Sequence, residues 1–186
     1  MGTAMTVPLK MMAYGKEITV CQTNFLCVHK KLREKRMAQI QIGELLRRTR
    51  RDGKIIGFYH AARFQPTPFV TTKSALRLLN TNKLIDVRYT SLPMGKSRQD
   101  FAKQHQLPKK EFIQIEGTFR LMEAKDVGQV HQLYHQQMKK HSIYFPYTEE
   151  EIAYHLLPRD RIVKTFVVEQ PDGSISDFMS FTYYIQ

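Results

Sequence analysis

Apolar and polar residues in the first third of the chain follow patterns that predict strands around one amphipathic helix. Residues 7–12 and 18–28 are rich in apolar and β-branched side chains, which is typical of strands, and the second has the composition of a central strand. A helix is expected from Met37 to Arg51, where apolar residues recur at helical spacing, and Gly53 suits a left-handed cap. Residues 54–62 predict a third strand. This order of elements indicates an α/β fold.

The rest of the chain predicts two further groups of elements. Residues 74–84 favour a short helix or two turns, 85–90 a strand and 97–105 a helix, and residues 107–116 are expected to connect two halves of the chain. The second half then predicts a strand at 117–122 and a helix at about 126–140. A second helix is expected to begin at a Thr148–Glu151 capping box and to stop before Pro158. A hairpin with strands at 165–168 and 175–181 follows.

The net charge of +12 in 186 residues implies an anionic partner. Charge alone leaves nucleic acid, an acidic membrane leaflet and the phosphates of a nucleotide cofactor open. Much of the excess lies in two basic runs, residues 30–36 and 47–51. We interpret the second run as a solvated helix C-terminus, where cations are favoured by the helix dipole. Lys35 and Arg36 precede the predicted helix start, where backbone amides bind phosphate, so we assign them a functional role.

The two cysteines indicate a reducing compartment. Cys21 and Cys27 lie six residues apart in one predicted strand, and an extended chain separates them by about 20 Å, which is too far for a disulfide. Reduced thiols are typical of cytoplasmic proteins, so we expect a cytoplasmic location. No apolar run in the sequence approaches the ~20 residues of a membrane span. His131 and His135 share a helix face but have no obvious third ligand, so no metal is expected.

The most specific motif is residues 24–36, Asn-Phe-Leu-Cys-Val-His-Lys-Lys-Leu-Arg-Glu-Lys-Arg. This string resembles the signature of the myristoyl-CoA:protein N-myristoyltransferases, Asn-Phe-Leu-Cys-Val-His-Lys-Lys-Leu-Arg-x-Lys-Arg. Residues 59–62, Tyr-His-Ala-Ala, stand where that family has Tyr-Thr-Ala-Gly, and residues 177–181, Asp-Phe-Met-Ser-Phe, match Asp-Phe-Leu-Ser-Phe. The resemblance implies a GNAT-like acyltransferase fold, with a mixed central sheet flanked by helices, as a permuted or incomplete unit. It also implies transfer of a myristoyl group from myristoyl-CoA to the N-terminal glycine of a protein.

The resemblance assigns roles to individual residues. The backbone amides of Phe25 and Leu26 would polarise the thioester carbonyl, as an oxyanion hole does. From composition alone, the favoured interpretation of Phe25 and Leu26 is as core residues of an ordinary strand, and the resemblance reverses that preference. No cysteine intermediate is implied, because the acyl group passes directly to the amine. The expected cofactor contacts are Phe25, Leu26, Cys27, Val28, Glu34, Lys35, Arg36, Met37 and Ala38.

The chain also departs from the family pattern. Residues 1–106 resemble the latter, CoA-binding portion of the family's N-terminal half, and residues 107–186 resemble the opening of its C-terminal, peptide-binding half. The chain is therefore expected to be truncated at both ends. In the family a C-terminal carboxylate serves as general base, and that segment has no counterpart here. His60 is our candidate substitute, because histidine exchanges protons near neutral pH.

Two other classes of function remain open at this point. One is a catalytically incomplete module that binds CoA or acyl-CoA without turnover, which the lost base and peptide contacts favour. The other is a basic nucleic-acid-binding protein, which only the charge supports, so nucleic acid is not the expected partner. Salt would discriminate between them, since nucleic-acid affinity falls steeply with ionic strength.

Overall fold

The computed structural model describes residues 2–61, 66–107 and 115–183, and in them the chain forms seven strands and five helices. The chain divides into two compact units, Met1–Arg63 with Ile115–Gln186, and Phe64–Gln114. The strands are β1 (Gly2–Ala13), β2 (Lys16–Val28), β3 (Ile56–Tyr59), β4 (Thr118–Leu121), β5 (Ile143–Tyr144), β6 (Val163–Glu169) and β7 (Ile175–Thr182). The helices are α1 (Met37–Arg51), α2 (Thr81–Asp86), α3 (Arg98–Gln104), α4 (Val127–Met138) and α5 (Glu149–Leu156).

The first unit contains a four-stranded mixed sheet in the order β3-β2-β1-β5. A long antiparallel hairpin forms its centre, in which β1 and β2 turn at Tyr14 and Gly15, both with positive φ. Strand β3 pairs parallel to β2, and the two residues of β5 pair antiparallel to β1. The prediction that residues 18–28 form a central strand is confirmed, whereas β1 begins five residues earlier than residue 7 because its apolar pattern continues weakly toward Gly2.

Helix α1 has the bounds that the sequence predicted. Its C-terminus is closed by the amide of Asp52, which donates to the carbonyl of Arg48 at 3.1 Å, and Gly53 follows with φ +73°. Within the helix, the Glu44 carboxylate accepts from Arg47 and Arg48 at 2.7 and 2.8 Å. The helix packs on β1 and β2, yet none of its residues is buried.

The same unit contains a three-stranded antiparallel sheet, β4-β6-β7, covered by α4 and α5. Their buried side chains form the hydrophobic core, which comprises Met122, Val130, Ile152, Val167 and Ile175. The predicted capping box opens α5: the amide of Glu151 donates to the Thr148 hydroxyl at 3.2 Å, and the Glu151 carboxylate accepts from the Thr148 amide at 2.9 Å.

A buried carboxylate joins the start of α4 to this sheet. Asp126 is 2% exposed, and both of its oxygens accept from the Arg120 guanidinium, at 2.7 and 2.8 Å. Arg120 also pairs with Glu169 on the neighbouring strand. The Arg120 hydrogen bonds lower the pKa of Asp126, although burial of the carboxyl opposes this.

The second unit departs from the sequence prediction in one element. Ile85 and Asp86 belong to α2, so the expected strand at 85–90 is wrong. The reason is local: the Asn80 side chain accepts from the Lys83 amide at 3.1 Å and starts a helix that carries the apolar residues at 84 and 85. The helix expected at 97–105 is confirmed as α3, capped by Ser97. Most of the predicted connection, residues 108–114, lies outside the described residues.

None of the helices within residues 2–61, 66–107 and 115–183 is long and apolar enough to cross a membrane.

Candidate functional site

Strand β2 is distorted at Phe25. The pairing of β1 with β2 shifts register between Thr3 and Met5, so that Ala4 alone opposes both Phe25 and Leu26. Phe25 takes up the extra residue with φ +54°, a conformation that costs a bulky side chain energy. The Thr3 hydroxyl donates to the Phe25 carbonyl at 3.4 Å. The distortion is therefore a β-bulge, a feature found next to active sites because it turns backbone groups out of the ladder.

The side chains of the bulge do not belong to a core. Phe25 is 71% exposed and Leu26 is 41% exposed. The interpretation of these two residues as core members of an ordinary strand is therefore wrong. Packing among the described residues therefore does not explain why a large aromatic side chain stands outward at positive φ.

The pairing of β2 with β3 ends just before the bulge. Its register runs from Val20 with Ile56 to Thr23 with Tyr59 and goes no further among the described residues. His60 directly follows Tyr59, so it lies beside the part of β2 where Asn24 and Phe25 continue the strand beyond β3. From Asn24 onward, β2 has no pairing with β3 among the described residues.

The basic loop connects the bulged strand to α1. After Val28 the chain forms a 3-10 turn, Lys30–Leu32, in which the His29 ring accepts from the Lys31 amide at 3.3 Å. The Arg33 guanidinium turns back and donates to the Val28 carbonyl at 3.4 Å. Five basic residues and one acidic residue, Glu34, occupy positions 30–36.

The start of α1 is not capped by a side chain. Arg36 occupies the N-cap position in the left-handed conformation, φ +56°, and makes no side-chain hydrogen bond to the helix amides. Glu34 is also left-handed, with φ +66°. No acidic residue lies in the first turn, where Met37 and Ala38 are half-buried. The amides of this first turn therefore have no side-chain cap and lie beside a basic loop, at the positive end of the helix dipole.

Most of the predicted site residues lie in two stretches of the same segment of the chain, 25–28 and 34–38. Phe25, Leu26, Cys27 and Val28 form the bulged end of β2, and Glu34, Lys35, Arg36, Met37 and Ala38 form the loop and helix start. Both cysteines are free thiols, with Cys21 buried and Cys27 exposed. His60 is exposed on the neighbouring strand end, and its ring contacts Phe58 edge-on, with 6.1 Å between centroids.

Sequence reasoning missed an aromatic group behind His60. Phe58 packs against Phe145, with 5.9 Å between centroids, and Phe145 stacks on Tyr147 at 6.0 Å. The dense aromatic run at residues 144–147 was a signal for this group, but nothing in the sequence joined it to residues 58–60.

The histidine pair of α4 belongs to this group. His131 and His135 both place Nε2 on the Tyr147 carbonyl oxygen, at 3.1 and 2.8 Å. In the part of the chain that the structure describes, no group of three His, Cys, Asp or Glu side chains could hold a metal ion.

Two family models match the chain. The N-terminal domain of myristoyl-CoA:protein N-myristoyltransferase matches residues 1–72, and the C-terminal domain of the same family matches residues 86–186. The glycylpeptide N-tetradecanoyltransferase of Drosophila melanogaster is 34% identical over 180 residues, which cover 97% of this chain and 38% of the relative. That of Saccharomyces cerevisiae is 34% identical over 181 residues, 94% of this chain and 39% of the relative. The chain thus spans about four tenths of the length of these curated relatives.

Solved structures agree with these matches. The N-myristoyltransferase of Saccharomyces cerevisiae with bound myristoyl-CoA superimposes with a TM-score of 0.84 at 31% identity, over 97% of this chain and 44% of that chain. A "probable N-acyltransferase" of Enterococcus faecalis V583 gives a TM-score of 0.52 at 11% identity, over 100% of this chain and 42% of that one, which is evidence of fold alone. The predicted GNAT-like α/β fold is confirmed.

Proposed function

Because this chain belongs to the myristoyl-CoA:protein N-myristoyltransferase family, we propose that it transfers a myristoyl group from myristoyl-CoA to the N-terminal glycine amine of a protein. Residues 1–106 would form the CoA-binding part and residues 107–186 the opening of the peptide-binding half. One observation carries the proposal: a strand bulge at Phe25 is followed along the same segment by an uncapped, basic helix start at Arg36. A thioester joined to a phosphorylated carrier needs both a site for its carbonyl and a site for its phosphates.

The bulge would serve the thioester. As an amine attacks the carbonyl carbon, negative charge develops on the carbonyl oxygen, and the amides of Phe25 and Leu26 would donate to that oxygen. Such preorganised donors lower the activation barrier by about 3 kcal/mol each. The positive φ of Phe25 supports this role, because it takes these amides out of the regular ladder.

The loop would serve the CoA phosphates. Lys35 and Arg36 would pair with phosphate oxygens, and the first-turn amides of α1, from Met37 and Ala38, would donate to the same oxygens. Glu34 would contribute through its backbone, which is in the left-handed conformation. Cys27 and Val28 lie on β2 beyond the β3 pairing, where they would contact the CoA arm.

His60 would act as general base. An ammonium cannot attack until it loses a proton, so His60 would take that proton from the glycine amine. The nitrogen lone pair then attacks the thioester carbon, the C–N bond forms, the C–S bond breaks, and CoA leaves as the thiolate. The thiolate takes the second proton, which the nitrogen loses as it becomes the amide. The place of His60 at the end of β3, beside the start of the bulge, supports this assignment. The Cys27 thiol would take no covalent part.

The partners and the cellular role follow from the same proposal. The acceptors would be proteins with an N-terminal glycine, and the product would be a lipidated protein, which places the chain in lipoprotein biosynthesis. A cytoplasmic location is part of the proposal and is supported by the free thiols of Cys21 and Cys27.

Calorimetric titration of the 186-residue chain with myristoyl-CoA, acetyl-CoA and CoA, at two salt concentrations, tests the cofactor site. We expect micromolar binding that favours the myristoyl chain and persists at the higher salt. Arg36→Ala should weaken it by roughly tenfold, the worth of one charge-assisted bond. Arg50→Ala is the matched control, because Arg50 is an exposed arginine at the other end of α1 and should leave the affinity unchanged.

Two outcomes would overturn the proposal. One is the absence of binding to any of the three compounds. The other is binding that does not depend on the acyl chain and disappears at high salt, as counterion release predicts for a nonspecific polyanion site. A peptide-acylation assay on His60→Ala then tests the base, and unchanged acyl transfer would remove His60 from the mechanism.

A further inference from the structure

An unbroken line of ring contacts runs from His60 to helix α4. His60 meets Phe58 edge-on at 6.1 Å, and Phe58 packs on Phe145 at 5.9 Å between centroids. Phe145 stacks on Tyr147 at 6.0 Å, and Tyr147 packs on Tyr134 of α4 at 5.5 Å. His60 lies two residues after Phe58 and directly follows the last residue of β3, so the Phe58 ring contacts it from within the strand. Rings from the C-terminal part of the chain thus pack on Phe58, and Phe58 contacts the His60 ring.

The backbone that presents Phe145 is fixed by three side chains of α4. The Tyr134 hydroxyl donates to the Phe145 carbonyl at 2.8 Å. His131 and His135 contact the Tyr147 carbonyl at 3.1 and 2.8 Å. The same segment joins the four-stranded sheet through the two residues of β5 and through the Tyr14 amide, which donates to the Ser142 carbonyl at 2.7 Å. Its position therefore depends on α4 as well as on the sheet.

The carbonyl acceptors determine which side-chain atom donates in each of these three hydrogen bonds. A carbonyl oxygen cannot donate, so each histidine must carry its hydrogen on Nε2, and the two lone pairs of the Tyr147 oxygen can accept both. Nδ1 of His131 then faces Glu149, whose Oε1 lies 3.8 Å away. Burial raises the pKa of Tyr134 to about 12, which keeps its hydroxyl protonated and able to donate.

We propose that Tyr134, His131 and His135 are positioning residues for His60, acting through Phe145 and Phe58. This inference rests on the proposed role of His60 as general base. A base on an exposed strand end needs its ring held in one orientation, because proton transfer requires hydrogen-bond geometry with the amine. The aromatic line holds the imidazole from behind while its nitrogens stay accessible. The C-terminal half of the chain thereby contributes to the chemistry without contacting the substrate.

The test is a chemical-shift measurement that does not depend on activity. In the full chain, the imidazole Cε1–H resonance of His60 is assigned by its loss in His60→Gln and followed in three variants. Phe145→Leu removes the ring and Tyr134→Phe removes only the hydroxyl. Tyr154→Phe is the matched control, since Tyr154 is 67% exposed and contacts His155 and Arg159 instead. Amide shifts of β6 and β7 show whether each variant is folded.

We expect the His60 resonance to shift in Phe145→Leu, to shift less in Tyr134→Phe, and to stay in place in Tyr154→Phe. In a transfer assay, Phe145→Leu should lower kcat by roughly tenfold to a hundredfold with KM for myristoyl-CoA unchanged, as misplacement of a reacting group does. A His60 resonance that is unmoved in folded Phe145→Leu would overturn the positioning role. Unchanged transfer by His60→Ala would instead overturn the base, so the two failures are distinguishable.

Discussion

The two sheets of the first unit differ in how they are stabilised. The three-stranded sheet and its helices enclose a closed core in which Val167 is 0% and Ile152 1% exposed. In the four-stranded sheet with α1, only Val20 and Cys21 are buried among the described residues, and Ile40 of α1 is 60% exposed. Yet the bulge lies in the four-stranded sheet, and the basic loop and His60 directly follow two of its strands. The part of this unit that holds the candidate chemistry is therefore the part with the smaller core.

This difference has a thermodynamic consequence. Full burial of a large aliphatic side chain stabilises the fold by about 1.5–3 kcal/mol, so most of the hydrophobic stabilisation of the unit arises around β6 and α5. Regions with few buried apolar contacts open at lower free energy than the core. Binding of an acyl-CoA at the bulge would add contacts where the fold has fewest, and should stabilise that region by mass action.

Truncation of a core side chain should have the largest effect. Ile152→Ala removes three carbons from a site that is 1% exposed, and should lower the free energy of unfolding by about 2–5 kcal/mol. Ile40→Ala is the same change at 60% exposure and should cost less than about 0.5 kcal/mol. Urea denaturation of both variants checks the difference, and equal losses would contradict a core confined to the three-stranded sheet.

Neutralisation of the buried carboxylate should rank next. Asp126→Asn keeps the shape of the side chain but removes the charge that both oxygens offer to Arg120, and should cost about 3 kcal/mol at neutral pH. Asp160→Asn is the control, since that side chain is 90% exposed.

The same residue should make stability depend on pH. Because the folded pKa of Asp126 lies below its ordinary value of 3.8, its contribution is present in full above that value and is lost as the pH falls through the folded pKa. Thermal unfolding between pH 6 and pH 2 should therefore show a weaker acid dependence in Asp126→Asn than in the parent chain. An identical acid dependence in both would mean that Arg120 does not stabilise the charged form.

Hydrogen exchange should resolve the two sheets within one molecule. Amides of β6 should exchange through global unfolding, whereas those of α1 should open with a free energy lower by about 2 kcal/mol, which means roughly thirtyfold faster exchange. Saturating myristoyl-CoA should reduce this gap. Equal protection of α1 and β6 in the free chain would show that the first sheet is as stable as the second.

A change at the bulge should have the smallest effect on stability. Phe25 adopts φ +54° and is 71% exposed, so Phe25→Gly loses little burial and removes left-handed strain. Its stability should be unchanged or higher by up to about 1 kcal/mol, whereas Phe25→Val, with a β-branched side chain, should lose about 1 kcal/mol. A destabilised glycine variant would show that the Phe25 side chain packs in a way that its exposure does not suggest.

Much of the fold could be predicted because it depends on neighbours in the chain. Helix α1 could be placed from its periodicity and Gly53, and α5 from the capping box of Thr148 and Glu151, since caps and periodicity act over a few residues. The strand expected at 85–90 failed for the same reason: the cap at Asn80 favours a helix and outweighs the β propensity of Ile85 and Val87.

The sequence by itself determined the family signature, the basic loop and the order of strand, loop and helix, because these are contiguous and follow local rules. Only the tertiary structure decided that Phe25 stands in a bulge, since a bulge is a relation between two strands and appears only when β1 is paired with β2. It likewise decided that His60 lies at the end of an aromatic line from α4, whose members other than Phe58 are more than seventy residues away in sequence. Contacts at that separation arise from packing, which no local pattern encodes.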